Sequence, residues 1–273
     1  MLQSKWYSLL ILLIVPLIGA YFAAIHPAPD HVYHQLSTWL LIHLLFPFVF
    51  VSLTASFFYL NRNVERLSAH MARWGAGIFL LFYVIFEVAT GIGTGLVVLG
   101  GSKVPGLDSK SVDAVAQAYF FEMQYGPLSA TAMIAGGGWI VALLATVVTV
   151  TQTKHAKPVL AIACLLAVTY TIAGIVVSDI SYRTHVTDYP EWALPVIGGM
   201  FLLFFIAIGI AAMDSSAPRE PLFILGLAIL YTISHGGDIG MIAMLGFAAG
   251  MTWLAFAQAN RKPVVTESKP MDA

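Results

Sequence analysis

The chain has 273 residues, of which 59% are hydrophobic and 10% charged, and its mean hydropathy is +0.85. These proportions fall outside the range of water-soluble domains, so lipid is the expected solvent for most of the chain. A formal net charge of −1 supplies no field to draw in nucleic acid, and a single cysteine excludes an intramolecular disulfide.

The first apolar run, Trp6 to Ile25, follows Lys5 and closes on small residues as a secretory signal does. It is longer than a signal h-region and reads as a membrane helix at about 6–25. Runs of similar length predict further spans at about 36–60, 74–99, 128–150, 159–180 and 193–213. Cys164 falls inside one of them and reads as a core residue. The last run, Leu222 to Ala257, would measure roughly 54 Å as one helix, against a hydrocarbon core of about 30 Å. Gly236, Gly237 and Asp238 supply a break, giving spans at 222–235 and 239–257. The expected fold is therefore an all-α, polytopic membrane bundle of eight helices, with seven as the alternative. It forms a single domain over residues 1–260, followed by a flexible tail at 261–273.

Eight spans with a cytoplasmic N-terminus place ten of the thirteen basic residues inside and leave Lys103, Lys110 and Arg183 outside. The positive-inside rule favours that arrangement, with both termini cytoplasmic in a plasma or inner membrane. Trp6 and Trp74 then fall at the inner boundary, and Trp39 and Trp192 at the outer one, as interfacial anchors. The long connection from Gly100 to Gly126 ends in a stretch, Ser111 to Tyr125, with helical spacing. Val112, Val115, Ala116 and Tyr119 recur opposite Asp113 and Gln117, which suits a helix lying on the bundle or the membrane surface.

Glu87 is the most informative residue, because an ionisable group at mid-helix depth costs several kcal/mol unless protonated, paired or hydrated. It should face the interior, with Thr90 and Thr94 on the same helical face. Asp179, His235 and Asp238 give two other helices polar stripes, and with Glu87 they suggest an outward-facing polar cavity. Histidines concentrate on the same side. His31 and His34, with Asp30 adjacent and His26 and His185 nearby in this topology, form a candidate divalent-metal set. His43 and His235 are the pair that would suit haem b.

Two function classes follow. One is a small-solute or ion transporter with Glu87 as proton or cation site. The other is a membrane metalloprotein or metal-dependent enzyme using the outer His and Asp residues, or a haem-binding or structural subunit. No catalytic residue is assigned. The expected partners are the lipid bilayer, a second copy of the chain or other membrane subunits, and no nucleic acid.

Overall fold

The computed structural model describes residues 10–186, 190–213 and 237–259, and among these every element is helical and none is a strand. In chain order the helices are α1 (Leu10–Ala24), α2 (Leu36–Leu60), α3 (Leu67–Gly101), α4 (Ser109–Tyr125), α5 (Ser129–Thr151), α6 (Ala156–Thr184), α7 (Ala193–Met213) and α8 (Gly237–Ala259). Four of them, α2, α3, α5 and α6, are long and apolar enough to cross a membrane; Leu10–Ala24 and Pro195–Ala211 are apolar but shorter. The span expected at 222–235 and the start of the expected break, Gly236, lie outside the described residues; α8 is described over Gly237–Ala259.

The exterior is as apolar as the interior. Phe48 on α2, Leu81 on α3, Ile172 on α6 and Leu202 on α7 all project outward, more than half exposed. Water would penalise such a surface, whereas lipid does not. Trp74 points outward on α3, while Cys164, expected in the core, is exposed on α6. Both faces of a membrane helix are apolar, so hydropathy alone does not distinguish them.

The centre of the bundle is α5, buried along most of its length and packed between α3 and α6. Gly75 and Gly138 make the α3–α5 approach possible. A Cβ on Gly75 would lie 2.6 Å from the Gly138 carbonyl oxygen, and one on Gly138 would lie 2.7 Å from that of Gly75. Glycines at such crossings let backbones meet where no hydrophobic force drives helices together.

α3 starts at Leu67, seven residues before the apolar run, and its 35 residues span about 52 Å. Its first turns hold Ser68, His70 and Arg73, and are tied to the neighbouring elements by polar contacts. Arg73 donates to the Asn61 carbonyl at 3.0 Å, and Thr149 on α5 donates to Ser68 at 2.8 Å. The helix continues beyond the apolar stretch because polar residues serve a helix end as well as apolar ones do.

Among the described residues two helices contain a π-turn, Leu10–Ile14 in α1 and Val88–Ile92 in α3. At both, neighbouring helices donate side-chain hydrogen bonds to backbone carbonyls in the turn. Ser56 on α2 and Thr252 on α8 donate to Ile11 and Leu12 at 2.9 and 3.2 Å. Tyr119 on α4 and Trp39 on α2 donate to Ala89 and Gly91 at 3.1 and 2.6 Å. Side-chain donors thus satisfy carbonyls where the regular ladder is disturbed inside an apolar bundle.

α4 matches the expected helix of the long connection. Asp108 caps it by accepting the Ser111 backbone N–H at 2.8 Å. Val112 and Ala116 are buried as expected, but Val115 is exposed and Asp113 accepts the Tyr33 backbone N–H at 2.9 Å.

Candidate functional site

α2 presents Trp39, His43, Phe46 and Phe50 at intervals of three and four residues, and all four are buried. Their rings form a ladder, with centroids 4.4 Å apart for Trp39–His43, 6.1 Å for His43–Phe46 and 5.5 Å for Phe46–Phe50. Opposite this ladder, α3 presents Glu87 and, one turn on, Gly91. His43 Nδ1 and Glu87 Oε1 are hydrogen-bonded, with Glu87 only 1% exposed and His43 2%. A Cβ at position 91 would overlap the imidazole, so glycine there makes room for His43.

Backbone hydrogen bonding is altered in both helices beside this pair. Pro47 on α2 has no N–H, so the His43 carbonyl, four residues earlier, loses its helical donor. On α3 the π-turn starts immediately after Glu87. π-turns inside α-helices recur at functional sites because they re-aim side chains and loosen the backbone.

The hydrogen bond needs one proton between Nδ1 and Oε1, whichever atom carries it. His43 Nε2 is buried, with no hydrogen-bond partner among the described residues. With one shared proton and a bare Nε2, the pair carries a charge of −1. A second proton on Nε2 makes it neutral, whether written as imidazolium and carboxylate or as imidazole and carboxylic acid. The charge of the pair therefore depends on whether Nε2 carries a hydrogen, in a low-dielectric setting where charge is costly.

His26, two residues beyond α1, completes the cluster. Its ring meets that of His43 edge-on with centroids 4.9 Å apart, lies 5.3 Å from Trp39 and stacks over Phe46. It is half-buried, whereas His43 and Glu87 are closed off from solvent.

The other candidate residues are distributed as follows. Thr90 and Thr94 are buried on α3, and their hydroxyls donate to the Phe86 and Thr90 carbonyls within the helix. Asp179 sits on an exposed part of α6, with both carboxylate oxygens 2.9 Å from Arg183 Nε. His235 lies outside the described residues, as does the side chain of Asp238 near the start of α8. His31 and Asp30 form an exposed ion pair at 3.7 Å. With His34, Lys110 and Asp113 they line an open cleft of about 350 Å³ between the α1–α2 connection and α4. His185 stacks on Phe121 with centroids 5.3 Å apart, and His26 belongs to the buried cluster. Among the described residues no group of three or more His, Cys, Asp or Glu is placed to hold a metal ion.

Trp39 corrects an expectation. It is fully buried, with its indole N–H given to Gly91, and is not an interfacial anchor. The sequence held a signal for this cluster that the apolar runs obscured: Trp39 and His43 four apart on one helix, Glu87 and Gly91 four apart on another, and Pro47 four beyond the histidine. No family model, curated protein or solved structure matches this chain.

Proposed function

We propose that this chain is an eight-span membrane protein, both termini cytoplasmic, that moves a small solute or ion across a plasma or inner membrane by binding and releasing a proton at His43–Glu87. The observation that carries this reading is the buried imidazole–carboxylate pair itself. Ionisable residues at membrane depth mark proton and ion pathways by default, and this one is doubly held by a hydrogen bond and an aromatic ladder. Its setting supports the same reading, because a proline on one helix and a π-turn on the other place irregular backbone beside the charge, as in transporter binding sites.

Proton binding can be read directly. The infrared carboxyl bands of the purified protein in lipid should change with pH, and the component lost in Glu87→Gln identifies the pair. In liposomes, sodium or potassium gradients, or a panel of small organic solutes, should drive proton movement that Glu87→Gln abolishes while the variant still purifies as a monodisperse protein. Flux of unchanged size and pH dependence in that variant, or an infrared spectrum with no pH-sensitive Glu87 component, would overturn the reading.

A second reading draws on one feature of the same pair. A histidine whose Nδ1 is held by a carboxylate and whose Nε2 is buried has the orientation of a metal or haem ligand. Stoichiometric transition metal or a Soret band in the purified protein, lost in His43→Ala, would favour that reading over proton binding.

A further inference from the structure

We infer that α4 gates the His43–Glu87 pair: its N-terminal turns lift off Trp39 and the α1–α2 connection while its C-terminal end stays on α6, and Tyr119 is the latch. The inference rests on the proton-binding reading, to which it adds the moving part that lets a proton or solute reach a closed site.

A moving part is required because the pair is sealed. Glu87 and His43 are 1% and 2% exposed, and Trp39, one turn nearer the start of α2, is fully buried. α4 is the layer over Trp39. Its Val112 and Ala116 form one apolar cluster with Trp39, Val32 and Val98, and the Phe120 ring meets the indole edge-on with centroids 6.1 Å apart. From the same helix Tyr119 donates to the Ala89 carbonyl at 3.1 Å, inside the π-turn and two residues beyond Glu87. A Cβ at position 93 would lie 2.4 Å from the Tyr119 hydroxyl oxygen, so glycine there admits the latch.

The attachment of α4 is slight and lopsided. Of its 17 residues only Val112 and Ala116 are buried, so lifting it uncovers little apolar surface. Near its N-terminus, Asp113 accepts the Tyr33 backbone N–H at 2.9 Å. The connection from α3, Ser102 to Leu107, is exposed throughout and holds Gly106 at φ +83°, which gives that end slack. The C-terminal end is held on α6, where Tyr182 donates to Glu122 at 3.0 Å and Phe121 stacks on His185 with centroids 5.3 Å apart. Those contacts make it the pivot. Lifting the other end breaks the Tyr119–Ala89 bond and uncovers Trp39, so access to the pair and the backbone beside Glu87 change together.

Two experiments on the full-length protein in lipid test the gate. A Cβ at position 101 would lie 3.6 Å from the Val112 Cβ, a separation that suits a disulfide. Gly101→Cys with Val112→Cys, in a Cys164→Ala background, therefore clamps the lifting end to α3. After a pH jump the Glu87 carboxyl band should respond at least tenfold more slowly in the oxidised protein, with the final amplitude unchanged, and at the normal rate once reduced. A fully cross-linked protein that responds as fast as its reduced form would overturn the gate.

The second experiment needs no proton response. Val98→Cys in the same background places a thiol at a fully buried position in the cluster that α4 covers. A water-soluble maleimide should label it slowly in the folded protein, and about two- to tenfold faster in Tyr119→Phe, the shift expected from one hydrogen bond. No labelling before denaturation, or equal rates with and without the Tyr119 hydroxyl, would overturn the gate. A Glu87 band that ignores pH in the unaltered protein, alongside labelling that depends on Tyr119, would uphold the moving helix and remove only the proton-binding reading.

Discussion

The indole N–H of Trp39 donates to the carbonyl of Gly91 at 2.6 Å, joining α2 to the π-turn of α3 one helical turn beyond Glu87. This bond satisfies a buried carbonyl and fixes the spacing of the two helices across the His43–Glu87 pair. Trp39→Phe retains an aromatic ring but removes this donor. The expected loss is about 0.5–1.5 kcal/mol, the net worth of one hydrogen bond. Denaturant titration in mixed micelles measures it, and unchanged stability would mean that another donor replaces the indole.

Gly91 should tolerate no side chain. In Gly91→Ala the added methyl group meets the His43 ring, and either the ring or the helix must move. Overpacking costs about 1–3 kcal/mol, and the Glu87 carboxyl band should shift toward that of an acid without its imidazole partner. Gly100→Ala, on the same helix with nothing within 4 Å of the new Cβ, should leave that band in place. Identical spectra for the two variants would refute the contact.

The α3–α5 crossing predicts opposite effects for two glycines in one helix. Gly75→Ala drives a methyl group against the Gly138 carbonyl and the Ala142 backbone, so the helices must separate, with a loss of about 1–3 kcal/mol. Gly77→Ala meets nothing within 4 Å and should stabilise by about 0.5–1 kcal/mol through backbone entropy. Thermal melting in detergent distinguishes them; a loss at both positions would mean that helix packing does not decide the outcome.

The cap of α4 predicts a pH dependence. Hydrogen bonds from Ser111, side chain and backbone, hold the Asp108 carboxyl below the usual aspartate range. A depressed acid contributes fully above its unfolded value, and the contribution fades as pH falls through the lowered one. Protection of the Ser111 amide from exchange, corrected for the intrinsic rate, should therefore hold through neutral pH and drop in strong acid. In Asp108→Asn the protection should show no such acid drop, and one of equal size would exclude Asp108 as its source.

The apolar runs located the helices well, because twenty or so consecutive residues without charge have one stable form in lipid. Among the described residues α2, α5 and α6 begin and end within a few residues of the expected positions, and α7 begins at Ala193. The start of α3 was missed because hydropathy reports the hydrocarbon and not the helix, and the turns holding Ser68 to Arg73 are helical outside it. Ser109–Tyr125 was legible from its spacing, since that segment has distinct apolar and polar faces.

The sequence by itself determined that the chain is helical, that lipid is the solvent its composition suits, and that Glu87 needs a partner, since each follows from local composition and the cost of a buried charge. Only the tertiary structure decided which partner. Trp39 and Trp74 are the same residue type near the ends of apolar helices, yet one is fully buried and the other three-quarters exposed. His43 was one imidazole among eight until α2 and α3 packed with Gly91 between them. In lipid the inward and outward faces of a helix are equally apolar, so no one-dimensional pattern records which residues meet; the shapes that let two helices approach do.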